Sequence, residues 1–172
     1  MTKKNKWIFV LLGCLLFVSF WSCNDDDEEE VDYVEQAQKN KEKGERYLKG
    51  LKGQEGILQD PSGLLYKYID YTTNPKPGMA DTVCVTYTGY TIAGRKFLKK
   101  TESVMVEDLQ KGLSIGVRHM GEKATYHFYV PYYLGYGAVS NTFGKGNDTV
   151  QVLSYSAIEY EMTLDSIIFV DK

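Results

Sequence analysis

Residues 156–169 alternate with a period of two: Ile158, Tyr160, Met162 and Leu164 are apolar, while Glu159, Glu161, Thr163 and Asp165 between them are polar. Only an extended strand sends successive side chains to opposite faces, so this segment has to lie in a sheet with one buried and one wet face. Such a sheet is antiparallel. Further strands are expected over residues 64–71, 82–90 and 124–130, with a short one near 95–98. Leu109, Leu113, Val117 and Met120 recur at spacings of four, four and three, the apolar stripe of a helix entered at Glu107 or Asp108. The predicted class is α+β: a curled antiparallel sheet wrapped around one short helix, with the inner strand ends and the helix start lining a cavity.

The 172-residue chain suffices for one core once its first segment is removed. Residues 1–22 read as a secretory signal: Lys3, Lys4 and Lys6, an apolar run over 7–20, and small Ser22 before Cys23. The run is too short to favour a permanent membrane span. A small residue followed by cysteine resembles a bacterial lipobox, with Cys23 the lipidated residue, although Phe20 and Trp21 depart from the usual pattern. Six consecutive acids follow over 25–30, a solvated leader that also resembles the surface-export signal of Bacteroidetes-type lipoproteins. The expected location is extracytoplasmic, anchored to the outer membrane through Cys23, on either its periplasmic or its cell-surface side.

Residues 32–52 carry Glu35 with Lys39, Glu42 with Arg46 and Glu45 with Lys49, each pair four apart, which supports a solvated helix that Gly44 and Gly50 weaken. This helix is either a stalk or packed on the domain. The expected organisation is therefore a signal peptide over 1–22, an acidic leader with a helical extension over 23–60, and one globular domain over 61–172.

Several chemistries are disfavoured. Removing the signal's three lysines leaves 17 basic residues against 23 acids, a formal net charge of about −6, so nucleic acid is not an expected partner. With Cys14 and Cys23 assigned to the signal and the lipid, Cys84 stands alone in a strand as an inert thiol. His119 and His127 are the only histidines and have no cysteine or carboxylate at ligand spacing, so no metal site is expected. No nucleophile elbow, phosphate loop or dinucleotide fingerprint occurs, and Gly144, Gly146 and Asn147 read as a mobile loop.

The remaining signal is aromatic. VPYYLGYG at 130–137 places Tyr136 between two glycines, which lets backbone approach a ligand closely while the ring is displayed. Upstream lie VTYTG at 85–89 and GRKF at 94–97, and LSYSAIEYEMTL follows at 153–164. In this order and spacing the set resembles the FKBP-type peptidyl-prolyl cis/trans isomerases, over roughly residues 61–170.

That resemblance implies a pocket for a proline peptide and no cofactor. It assigns catalytic positions to Tyr87, Phe97 and Tyr136, the last donating its hydroxyl to the ligand carbonyl. Leu109, Gln110 and Leu113 of LQKGL fall on the family's element at the helix start, with the Gln110 backbone N–H as a second donor. Val152 and Tyr160 fall on the aliphatic and aromatic positions of the closing hairpin. Three positions depart from the pattern: Leu98 replaces the usual aspartate, Leu113 replaces the floor tryptophan, and Val152, Leu153 and Ser154 replace Ile-Pro-Pro. The helix also reaches its glycine at 121 early.

Two functions fit. One is a monomeric, lipid-anchored prolyl isomerase acting on proline-containing clients, with activity reduced by Leu98 and Leu113. The other is a surface lipoprotein that keeps the fold to bind a peptide or another apolar ligand without turnover.

Overall fold

The structure, a computed structural model, describes residues 32–170; the signal, Cys23 and the acidic run lie outside the described residues. Along the chain come α1 (Tyr33–Leu51), β1 (Leu58–Gln59), β2 (Leu65–Asp70), β3 (Thr82–Thr91), β4 (Lys96–Met105), α2 (Lys111–Val117), β5 (Thr125–Val130), β6 (Asn141–Phe143), β7 (Val150–Val152) and β8 (Ile158–Ile168). Six strands form one antiparallel sheet in the order β1-β2-β5-β8-β3-β4, and β6 and β7 form a separate hairpin. The curled antiparallel sheet around a short helix is as the alternation predicts.

β8 is central, paired to β5 on one side and β3 on the other. Ile158, Tyr160, Met162 and Leu164 are at most 1% exposed, all on the face that meets α2. Opposite them lie Tyr126, Phe128 and Val130 of β5 and Val83, Val85 and Tyr87 of β3. Leu109, Leu113, Val117 and Met120 join this cluster as the stripe predicts. The helix itself starts later than expected, at Lys111, because Glu107 and Asp108 belong to a 3₁₀ turn over Val106–Asp108. Two glycines let α2 sit close. A Cβ on Gly116 would meet Phe128 Cε1 at 2.6 Å, and one on Gly112 would meet Val130 Cγ1 at 2.7 Å.

α1 begins where the Asp32 carboxylate accepts from the Val34 and Glu35 amides at 2.9 and 3.1 Å, an N-cap. Of the three expected pairs, Glu35 and Lys39 meet at 2.7 Å, whereas Glu42 accepts from Gln38 at 2.8 Å. The helix packs on the other face of the sheet, with Leu48 against Leu65, Tyr129 and Ala157. Phe128, Tyr129 and Val130 are therefore all buried, because the end of β5 is covered from both sides. Tyr47 donates to Glu159 at 2.7 Å, and His127 pairs with the same carboxylate at 2.8 Å, which ties α1 to β5 and β8. Burial would raise the Glu159 carboxyl, but these bonds and nearby Lys67 hold it below the ordinary carboxylate range. His119 pairs with Asp60 at 2.8 Å and stacks on Tyr66. Each histidine thus has a carboxylate partner distant in sequence, which spacing alone does not reveal.

Two sequence expectations change. β4 runs ten residues rather than the four expected near 95–98, because it is an edge strand whose polar outer positions hide the alternation. Residues 144–147 lie in the loop that joins β6 to β7. Gly44 is a contact rather than a weakness, since a Cβ there would meet Ala157 Cβ at 3.0 Å and its backbone nitrogen at 3.1 Å; Gly50 has open space. Gly44→Val is expected to destabilise the protein by about 2 kcal/mol through overpacking. Gly50→Ala is expected to stabilise it by roughly 0.5 kcal/mol through helix propensity. Urea unfolding of both variants checks the contrast.

Candidate functional site

Gly89 of β3 is the seat of the aromatic cluster. A Cβ there would meet Phe97 Cζ at 2.6 Å and Tyr160 Cε1 at 2.8 Å, so both rings lie directly on its backbone. Phe97 reaches it because the β3–β4 register shifts between Gly89 and Tyr90, a bulge that re-aims the Phe97 side chain inward. The Tyr87 ring meets Tyr160 edge-on at 5.9 Å, and Phe97 meets Tyr160 at 6.0 Å and Tyr136 at 6.1 Å. Leu109, Leu113 and Val152 are buried in the same cluster, and Leu98 and Tyr136 pack on it half-buried. Ring contacts thus join Tyr87, Phe97, Tyr136 and Tyr160, while Leu98, Leu109, Leu113 and Val152 share with them the same hydrophobic core.

The glycines around Tyr136 serve its turn. Gly135 passes over Ile158, where a Cβ would lie 3.2 Å from Cδ1, and Gly137 has φ +63°. The Gly137 N–H donates to the Tyr132 carbonyl at 2.9 Å. Their effect is to aim the Tyr136 ring back at the cluster, where its hydroxyl lies 3.2 Å from that of Tyr160.

Two members are not apparent from sequence. Phe143 of β6 lies 4.8 Å from Phe97 and 5.7 Å from Tyr136, closing the cluster on the hairpin side; its signal is the NTF and VQV pair flanking a glycine-rich tip. Glu102 of β4 stands opposite Val85 and accepts the Tyr87 hydroxyl at 2.6 Å. Glu102 lies four residues beyond Leu98 on the same strand. Burial disfavours the Glu102 charge, yet bonds from Lys100, at 2.5 Å, and from Tyr87 hold its carboxyl below the usual range.

Burial pushes the Tyr87 hydroxyl well up, and the Glu102 bond pushes it further. Burial likewise raises Tyr160 strongly. It also raises Tyr136, against bonds from Tyr160 and Gln110 that act the other way. These hydroxyls are neutral at physiological pH, so the site offers hydrogen-bond donors and apolar walls. Tyr160 is 1% exposed and its hydroxyl has Tyr136 as neighbour, and a buried hydroxyl must spend its proton on an acceptor. Either hydroxyl can donate in this pair, and donation by Tyr160 is the direction that leaves the Tyr136 proton for another acceptor. Tyr87 and Phe97 are only 6% and 7% exposed, so the ligand-free cluster is nearly closed. A separate groove of about 470 Å³ runs between α1 and the 131–133 segment, lined by Leu48, Lys49, Tyr132, Tyr133 and Tyr155. Among the described residues no cluster of three metal-ligating side chains occurs, and no helix is long and apolar enough to cross a membrane.

Residues 23–67 match the family model for the domain amino terminal to FKBP-type peptidyl-prolyl isomerase. Over 112 residues the chain is 37% identical to the outer membrane protein MIP of Legionella longbeachae, covering 62% of this chain and 48% of the relative. It is 32% identical over 106 residues to the FKBP-type peptidyl-prolyl cis-trans isomerase FkpA of Aeromonas hydrophila, covering 59% and 40%. The chain thus spans about half the length, or less, of these curated relatives. The crystal structure of a peptidyl-prolyl cis-trans isomerase from Pseudomonas syringae pv. tomato superposes with a TM-score of 0.67 at 19% identity, over 77% of this chain and 96% of that one, a likeness of fold. Sequence relatives, the matched amino-terminal domain and the curled sheet agree in one direction: the chain is similar to FKBP-type peptidyl-prolyl isomerases in sequence and in fold.

Proposed function

We propose that this chain is a peptidyl-prolyl cis/trans isomerase, anchored outside the cytoplasm through a lipid on Cys23, that assists the folding of proline-containing proteins. The observation that carries the reading is the placing of the Tyr136 hydroxyl, 3.2 Å from that of Tyr160 beside the ring of Phe97. In this reading Tyr160 donates to Tyr136, and the Tyr136 hydroxyl gives its own proton to a peptide carbonyl.

Rotation about a peptide bond is opposed by amide resonance, with a barrier of roughly 18–20 kcal/mol, and the X-Pro bond rotates over tens to hundreds of seconds unaided. No nucleophile is required. A dry aromatic site lowers the barrier by disfavouring the charge-separated planar amide and by holding the twisted form. In this reading the proline ring sits among Phe97, Tyr160 and Leu113, with Leu109, Leu98 and Val152 at its edges. Tyr136 and the Gln110 backbone N–H bind the carbonyl, and Tyr87, held by Glu102, forms the side wall. Leu113, smaller than the family's tryptophan, leaves a less complete floor, and reduced activity follows.

A second reading, a binder without turnover, is favoured by the low exposure of Tyr87 and Phe97: a ligand has to part the cluster to enter. Outer-membrane attachment is supported by the name of the Legionella longbeachae relative and by the lipobox-like Ser22 and Cys23. A single unpaired domain is the working description of its oligomeric state.

Catalysis of X-Pro isomerisation in a test peptide by micromolar full chain is the expected result, and no acceleration over the uncatalysed rate contradicts the enzyme reading. Tyr136→Phe is expected to lower kcat/KM roughly tenfold, one hydrogen bond's worth, with thermal stability retained. Tyr160→Phe is the sharper variant. A fall of about twofold to threefold is expected, since Tyr136 then loses the donor that polarises it; a rise would mean that Tyr136 had been spending its proton on Tyr160. For the anchor, Cys23→Ser is expected to shift the protein from the membrane to the soluble fraction, and unchanged fractionation rejects it.

A further inference from the structure

Gln110 stands just ahead of α2, and its side-chain carbonyl, Oε1, is buried with no hydrogen-bond partner among the described residues. Buried polar atoms are nearly always partnered, so this orphan asks for an explanation. The same side chain opposes the upward push of burial on the Tyr136 and Tyr160 hydroxyls, the effect of a donor beside them. The residue as a whole is half-buried, and the terminal torsion of glutamine is soft, so the oxygen can meet a group that enters beside Tyr136. A carbonyl accepts and cannot donate. What it lacks is an N–H or O–H.

We propose that Gln110 is a specificity-determining residue of this site, its side-chain carbonyl accepting a hydrogen bond from a backbone N–H of the bound proline peptide. The inference rests on the peptide-binding reading above and adds the part of the substrate that is read. Proline itself has no N–H. The donor is therefore the amide of a neighbouring residue, and the site distinguishes an ordinary peptide from one whose amide there is substituted. Ligand entry supplies the partner that the closed site lacks, so the orphan favours the bound state.

The test uses the full chain and three peptides: a parent X-Pro peptide, and two analogues in which the N–H of the residue preceding or following the proline is replaced by an ester oxygen. Wild type is expected to bind one analogue roughly threefold to tenfold more weakly than the parent. Gln110→Leu is expected to abolish that ratio, and Gln110→Glu, which keeps an acceptor at the same place, to retain it. Equal binding of all three peptides by wild type overturns the proposal while leaving the peptide site standing, as does a ratio that survives in Gln110→Leu. Failure of wild type to bind any of the three overturns the site reading and this inference with it. Gln110→Glu keeps the test decisive if the leucine variant does not fold.

Discussion

The register of β8 between β5 and β3 is the constraint on which the rest depends. Tyr160 stands opposite Gly89 on one side and Phe128 on the other. Because side chains alternate, a slip of one residue would turn Tyr160, Met162 and Leu164 to solvent and bring Glu159, Glu161 and Thr163 against α2. Burying four large apolar side chains on one face, each contributing about 1.5–3 kcal/mol, excludes that alternative. With the register set, Tyr160 lands on the one β3 residue without a side chain. Its hydroxyl then points where the turn through Gly135 and Gly137 delivers Tyr136. The same strand carries Glu159 on its opposite face, where Tyr47 and His127 hold it, so one element organises both the site and the docking of α1.

Legibility followed how local the cause was. β8 was readable because its two faces differ in chemistry, and the apolar stripe from Leu109 to Met120 was readable because all four residues reach one core. The start of α2 was misplaced because Glu107 and Asp108 suit a helix entry but are used in a 3₁₀ turn. β4 was read short because a bulge at Phe97 breaks its period and its outer edge is wet. The β6–β7 hairpin, with Phe143, was missed since three-residue strands carry almost no periodicity. Glu102 could not be found from spacing, because it meets Tyr87 only across a strand pair.

These features yield a site of neutral hydroxyls and packed rings. Its capacity to act lies in geometry: a Tyr136 hydroxyl held beside that of Tyr160, a carboxylate that restrains Tyr87, and an acceptor on Gln110 that has no partner among the described residues. Closure of the cluster means that ligand binding has to move side chains, and Tyr136 and Phe143, on the turn and hairpin, are the members at the margin.

A crystal structure of the full chain with a bound X-Pro peptide tests the central claim most directly. The account predicts the carbonyl preceding the proline within about 2.5–3.0 Å of the Tyr136 hydroxyl, with the proline ring between Phe97 and Tyr160. A peptide seated instead in the groove between α1 and Tyr132, with the Tyr136 hydroxyl still bonded only to Tyr160, would contradict it.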